Sequence, residues 1–497
     1  MTIKAIFVLS LSFLVVFSIY MIRTIPDRQS DRPVLYWKTD PNPQRFDQVD
    51  LFHKWLVEKG HVDDEGQPIV ELRVDSANPQ SKLIQAVSGV GGDIIDASVH
   101  SFQPMGLLTD LTPYADKLKF NIDTTFSGIK NIIEIDGKQY GYPCNVGAVG
   151  YWCNKDTFKR YGLGSPSEVW NPEEFEKIGK EFTKRANKGK ERQDIFFAQS
   201  PCTGWAGMRM IIAMHRSLGL DDFNETLTRC TLDDPRYVRL LKLLYKWTYV
   251  DHLFPSAAEQ ASMSGEAGYG GGELSHFQHG KYAMIIIGRW CLIRIRGFDN
   301  PPQLSLSRFP MWGYQNMVLH ARCATLYAGS KKKDLAKYFF AYLADKSYSD
   351  YIIKGADGLP PNISFAENNP DFESPVKHPN EGKVHKTELK WAKTLGISLP
   401  ISPYFKSEGA NWKQYGLDML FNDKGDAEAS AKETASRINA SIKITISNNA
   451  GLKKKYLDDL QLQKKIDARK ASNQKIPLSW IKNPFHRVYY KEKGLLE

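Results

Sequence analysis

"HGKYAMIIIGRW", residues His279–Trp290, decides how the chain is read. The apolar run Ala283–Ile287 is short, β-branched toward its end and closed by Gly288, which fits a strand buried on both faces better than part of a helix. Strands of that kind belong to sheets covered by helices on both sides, mostly parallel ones. Gly288, Arg289 and Trp290 then stand just past the carboxyl end of a strand, where open α/β sheets place their ligands. The motif therefore predicts an α/β fold and makes Arg289 and Trp290 candidate ligand contacts.

Outward from this strand the same alternation recurs. "VLYW" (Val34–Trp37) reads as a strand, and "PQRFDQVDLFHKWLVEKG" as a helix with Phe46, Val49, Phe52 and Leu56 on one face and Gly60 as its stop. "IVELRV" alternates Val70, Leu72 and Val74, "NPQSKLIQAVSG" is a helix capped by Asn78 with Pro79 in its first turn, and "GDIIDAS" is a third strand. This βαβαβ order calls for a parallel sheet with crossover helices. A second region follows. It has a hairpin at Asp136-Gly137, a strand in "GAVGYWCN", and a helix beginning with Asn171, Pro172 and Glu174 that turns Phe175, Ile178 and Phe182 inward. Later helices carry a stripe of Leu335, Tyr338, Phe339, Tyr342 and Leu343, and a further one spans 427–446. Two α/β regions joined by more than one crossing of the chain imply two lobes with a cleft between them, with mostly parallel sheets flanked by helices.

The chain has 497 residues and a formal net charge of +10, much of it in roughly the last 45 residues, so the excess describes a basic tail and not a nucleic-acid-binding domain. Lys4 precedes an apolar run from Ala5 to Ile22, followed by Arg23, without a small-x-small cleavage pair or a cysteine before Cys144. That pattern reads as an uncleaved export signal or membrane anchor that tethers the molecule on the outer side of a cytoplasmic membrane. Six cysteines form no metal-ligand spacing. Either they remain buried thiols, or Cys144 pairs with Cys153 or Cys202 with Cys230.

"GDIIDAS" with "LLTDLTPYAD", "DGKQYGYPCNVGAVGYWCNKDTFKRYGL", "WNPEEFEKIG", "FQHGKYAMIIIGRW" and "DLAKYFFAYLADKSYSDYIIKGADGLPP" occur in an order that resembles the extracellular solute-binding proteins of bacterial ABC importers, family 1, many of which bind sugars. The resemblance covers about 33–446. It implies a two-lobed, periplasmic-binding-protein-like fold that captures a carbohydrate or related solute by hinge closure and delivers it to the permease subunits in the membrane. Such a protein is no enzyme, needs no cofactor and holds no catalytic metal. The expected division is 1–32 as signal or anchor and linker, 33–143 with about 281–325 as lobe 1, 144–280 with about 326–448 as lobe 2, and 449–497 as a basic C-terminal extension. The extension falls outside the resemblance and reads as a helix packed on the second lobe plus a solvated end, or else as a segment that contacts permease, cell envelope or lipid. A membrane-anchored sensor or scaffold is the alternative function, and an exported glycoside-acting enzyme a further one.

A sugar site needs aromatic platforms flanked by carboxylates, amides and guanidinium groups. Trp37 and Asp40 at the end of the first strand qualify, although Trp37 reads equally as core and Asp40 as a helix cap. Asp96 and His100 follow the third strand. Asn145 sits at a lobe crossover, Trp205 lies between glycines in "CTGWAG", and Tyr269 and Glu273 belong to the loop-like "GEAGYGGGEL", whose glycines precede no GK[ST] phosphate motif. Arg322 pairs either with ligand or with a hinge carboxylate. In the resemblance, Trp290 stacks on the ligand and Arg289 hydrogen-bonds to it. Glu273, His276 and His279 spread around a helix instead of converging on a metal, so the histidines read as structural.

Overall fold

In a computed structural model of the chain, the described residues are 31–201, 204–263, 271–367, 369–373, 375–405, 411–422 and 425–497. In chain order the elements that matter are β1 (Val34–Thr39), α1 (Gln44–Glu58), β2 (Glu71–Ser76), α2 (Pro79–Val87), β3 (Ile94–Asp96), β4 (Gly141–Ala148), β5 (Gly150–Asn154), α3 (Pro172–Ala186), β6 (Phe196–Ala198), α4 (Gly204–Ser217) and α5 (Pro235–Tyr249). They continue with β7 (Tyr282–Ile287), β8 (Leu304–Ser307), β9 (Met317–Leu326), α6 (Lys333–Ala344), α7 (Lys346–Gly355), α8 (Val384–Thr394), β10 (Gly396–Ser398), α9 (Ala427–Ser447), α10 (Ala450–Ala471) and α11 (Pro484–Glu492).

Local chemistry starts these elements where the sequence predicts. The Asn78 side chain accepts from the Ser81 amide at 2.8 Å, and Asn171 and Glu174 form a complete capping box at the head of α3. Asp136 and Gly137 both take positive φ, 50° and 77°, which turns a two-residue hairpin between 134–135 and 138–139. In α1, Val49, Phe52 and Leu56 are buried as the stripe requires, but Phe46 is 65% exposed and Arg45 is buried in its place.

Two sheets result. The first pairs β1 in parallel with both β2 and β3, β3 antiparallel with β9, and β9 with β10 (parallel) and β4 (antiparallel). The second runs β8-β5-β7-β6, with β5 antiparallel to both its neighbours and β7 parallel to β6. The sheets are thus mixed, where mostly parallel ones are expected: in the first, β9 and β10 run against β1–β4, and in the second, β5 runs against β6, β7 and β8. All six residues of β7 are buried, as the opening stretch predicts.

The pairing also assigns segments differently from the expected division. The strands within 282–307 belong to the second sheet, because β7 hydrogen-bonds to β5 and β6 and β8 to β5. Helices α6 and α7 return to the first sheet, where Phe339, Tyr342 and Tyr348 complete the core around Trp37 and Phe52. No cysteine pair forms among the described residues: Cys144, Cys153, Cys230, Cys291 and Cys323 are buried free thiols, and Cys144 and Cys153 lie on strands of different sheets. Cys202 and the apolar run Ala5–Ile22 lie outside the described residues, within which no helix is long and apolar enough to cross a membrane.

Phe339 packs its ring 4.9 Å from Trp37 and edge-on to Phe52 at 5.5 Å. Phe339→Ala should therefore destabilise the first lobe by about 3–5 kcal/mol, seen as an earlier first-lobe transition in urea unfolding. An unchanged transition would show that this core is not what holds α6 to the sheet.

Candidate ligand-binding cleft

Because β1 has β2 on one side and β3 on the other, the chain leaves β1 and β3 in diverging directions, and a crevice opens at their carboxyl ends. Trp37, Thr39 and Asp40 come to it from β1 and Asp96 from β3. Arg322 and Asn145 face each other across β9 and β4, beside a register slip between Arg322 and Cys323 of the kind that re-aims side chains. Five sequence candidates, Trp37, Asp40, Asp96, Asn145 and Arg322, thus meet at one place.

Their contacts form a continuous chain of charge. Asp40 accepts from Arg45 at 2.6 and 3.1 Å, and the same guanidinium donates to Asp357 at 2.5 Å. Arg322 lies 3.8 Å from Asp357 and donates to Asp96 at 2.6 Å. Asp96 also accepts from the Trp37 indole at 2.7 Å and from the Thr39 hydroxyl. Asn145 donates to the Asp357 carbonyl at 2.7 Å, and Lys82 to the Asp96 carbonyl at 3.3 Å. Three carboxylates face two guanidinium groups and one ammonium, so the buried charge is balanced.

The network is closed except at one end. Asp357 and Arg45 are almost fully buried, whereas the Asp40 side chain keeps 38% of its surface exposed. Burial tends to raise the Asp40 carboxyl, but Arg322 and Arg45 outweigh it and hold the group below the usual carboxylate range. Arg322 Nε and Nη2 are buried without a hydrogen-bond acceptor among the described residues. An exposed anionic acceptor beside buried, unused donors suits a polyhydroxyl ligand. Trp37 is fully buried with Arg322 over its ring at 5.4 Å, so it orients Asp96 and offers no platform.

The opening motif resolves differently from its reading. Arg289 is fully buried and is used up inside the protein. It donates to His385 Nδ1 at 2.8 Å and to the carbonyls of Ile352, Ile353 and Gly358 at 3.1, 2.5 and 2.6 Å. It thereby ties the exit of β7 to the end of α7 and contacts no cleft. Trp290 is partly accessible. A Cβ on Gly288 would sit 3.3 Å from the Trp290 ring and 3.9 Å from His320 of β9, so the lack of a side chain there leaves room for both rings at the exit of β7. His320 is partly accessible near Arg322, and its imidazole is pushed down to about 3, first by burial and then by the Arg209 guanidinium.

The remaining candidates lie elsewhere. His100 bonds the Asn131 carbonyl at 2.6 Å. Glu273 stands in the first turn of the helix Gly271–Gln278, with no bond to the network. The side chain of Trp205 and the whole of Tyr269 fall outside the described residues. His276 and His279 bond the carbonyls of Met263 and Ser275, a structural role for each. His215, Asp221 and Asp222 cluster within 4.8 Å, but Arg216 and Lys413 already neutralise the two carboxylates, so the group reads as a buried ion-pair network.

Arg45, Asp357 and His320 escape the sequence reading. Arg45 sits at a helix position where an apolar stripe predicts exposure, and a lone His in a strand carries no signal. Asp357 had a clue in "GADGLPP": Gly358 takes a φ of 83°, and a Cβ there would approach the Val146 carbonyl to 3.0 Å.

A profile of bacterial extracellular solute-binding proteins matches residues 65–349. The chain belongs to this family. A curated relative, an arabinooligosaccharide-binding protein of Halalkalibacterium halodurans, is 25% identical over 271 residues, and the match spans 52% of this chain and only 56% of that protein. Among solved structures, an ABC substrate-binding protein of Listeria monocytogenes in complex with cycloalternan superposes with a TM-score of 0.68 at 20% identity, covering 83% of this chain and 100% of that one. A Thermotoga lettingae solute-binding protein bound to alpha-D-tagatose gives 0.65 at 14%, covering 82% and 100%. Maltose-bound MalE3 of T. maritima gives 0.64 at 15%, covering 82% and 98%. These structures share the two-lobed binding-protein fold.

Behind the cleft, Glu388 of α8 is fully buried and accepts from the Ala148 amide at 3.2 Å, where β4 crosses between the sheets. Burial pushes its carboxyl from an ordinary 4.5 up to about 7, against a smaller opposing pull from Arg289. A carboxyl raised on folding stabilises the native state below its unfolded pKa and loses that contribution as pH climbs through its folded value. Relative to Glu388→Gln, the native chain should therefore lose about 3 kcal/mol between pH 4.5 and pH 8, read from urea midpoints at each pH. Parallel curves for the two proteins would contradict it.

Proposed function

We propose that this protein is the substrate-binding component of an ABC-type importer, which captures an extracellular oligosaccharide or related polyol by hinge closure and delivers it to membrane permease subunits. The observation that carries this reading is the open end of the ion network: Asp40 keeps 38% of its side chain exposed at the carboxyl end of β1, held by Arg45 and by the charge of the buried Arg322, and Trp290 is partly accessible past the end of β7. The family supports it, as do the arabinooligosaccharide-, cycloalternan- and maltose-binding relatives. Binding without turnover is part of the same reading: the carboxylates of Asp40, Asp96 and Asp357 are held in ion pairs with Arg45 and Arg322, an arrangement suited to hydrogen-bonding hydroxyl groups. The apolar run Ala5–Ile22 supports a tether that keeps the protein at the outer face of the membrane.

A thermal-shift screen with arabino- and maltooligosaccharides, mono- and disaccharides, polyols and polyamines tests the reading. At a hundred times its Kd a true ligand stabilises the native protein by about 2.7 kcal/mol, a shift of a few degrees. Asp40→Asn should weaken binding at least tenfold and Trp290→Ala should abolish the shift, with far-UV circular dichroism unchanged. A flat response across the whole panel would sink the importer reading and favour an anchored sensor or scaffold.

A further inference from the structure

The C-terminal extension is a folded element in its own right. Ile466, Ile476, Ile481 and Tyr490 form a small core between α10 and α11. The Asn483 amide donates to Asp221 and to the Phe223 carbonyl, both at 2.9 Å, and Gln463 donates to buried Glu225 at 2.8 Å. Phe485 packs with Tyr314 and Ile397. These bonds fix the extension on the second lobe and against β10, so whatever it displays is displayed rigidly.

What it displays is positive charge. Residues 450–497 contain twelve Lys and Arg against five Asp and Glu, which is +7 of the chain's +10. Three of the acids are engaged within the protein: Asp459 with Lys482, Glu497 with Arg469, and Asp467 with Gln463. Helix α10 buries only Asp459, Gln463 and Ile466. Its 3.6-residue period sets Lys453, Lys454, Leu457, Gln461, Lys464, Lys465 and Ala468 on the opposite side, about 22 Å long, with no carboxylate among them. All seven are exposed, Leu457 by 50%. No ion pair reaches these four lysines among the described residues, and further exposed lysines and apolar tips, Lys475, Lys491, Leu478 and Leu495, belong to the same extension.

We propose that the outward face of α10 docks on an anionic lipid bilayer. Two features favour a bilayer over a protein epitope. The stripe uses lysine, a mobile point charge, in place of the planar arginine fork that reads defined acceptors. It also lacks the aromatic anchors that carry protein–protein interfaces. Lysines near a diffuse anionic surface each raise affinity roughly fivefold, and one apolar side chain among them enters the headgroup layer. An N-terminal tether would bring the face within reach of the membrane, leaving the cleft to the solute.

The full-length chain is tested by flotation with limiting amounts of vesicles, either pure phosphatidylcholine or phosphatidylcholine with 30% phosphatidylglycerol. The apolar N-terminal run contributes equally to both, so the difference reports the basic face. Bound protein should partition at least tenfold better into the anionic vesicles at low salt, and the gain should collapse at 0.5 M salt. Reversing Lys453, Lys454, Lys464 and Lys465 to Glu should remove the gain while leaving the urea midpoint unchanged. Reversing four exposed lysines of the lobes, Lys177, Lys331, Lys354 and Lys390, should leave most of it. Equal binding to both vesicle types, or equal loss from both quadruple variants, would overturn the proposal; the latter would reduce the effect to net charge. Sugar binding plays no part in the measurement, so its result stands whether or not the importer reading does.

Discussion

Everything else in the cleft depends on how two guanidinium groups and three carboxylates are kept together where β1 and β3 diverge. Taking such charges out of water is costly, and their mutual attraction recovers that cost only when the geometry is good and the remaining donors and acceptors are filled. Arg45 meets this condition by bridging Asp40 and Asp357. Arg322 meets it in part, bound to Asp96 and Thr39 but with donors left over. The network is therefore better understood as fixing the position of its open end than as a source of stability, and that open end is the exposed Asp40 carboxylate of the first lobe.

The turn at Asp357-Gly358 is where the cleft and the lobe connections join. Its carboxylate belongs to the ion network, its backbone carbonyls accept from Asn145 of β4 and from Arg289 beyond β7, and Leu359 pairs with Val146. A single turn thus touches β4, which crosses between the sheets, and the exit of the buried strand in the second sheet. Packed side chains and buried hydrogen bonds deform little and rearrange between discrete states, so the hinge closure proposed above would have to be accommodated near this point. Glu388, holding the Ala148 amide on the far side, adds a second buried polar contact to the same crossing.

The extension adds a layer to the family fold without entering the cleft. Its docking uses the loop 221–226, through backbone amides of Lys482 and Asn483 that bond the Glu225 carbonyl at 2.8 and 2.9 Å. A hydrogen-bonded attachment of this type specifies orientation more sharply than apolar contact alone.

The sequence by itself determined the elements and the class of fold. Capping residues such as Asn78 and Asn171, the Asp136-Gly137 turn and the unbroken apolar run of β7 act over a few neighbours, so their outcome can be read locally. The crevice was legible in part for the same reason: Trp37, Asp40 and Asp96 sit at strand ends, and strand ends can be seen in the pattern. Only the tertiary structure decided which sheet β7 joins, since a pairing partner such as β5, more than a hundred residues away, leaves no mark on the run itself. It also decided that Arg289 is buried while Phe46 is exposed, and that Arg45 and Asp357 belong with Asp96. The burial of a charged side chain is set by partners the fold brings from distant positions, and no local pattern encodes where those partners will be.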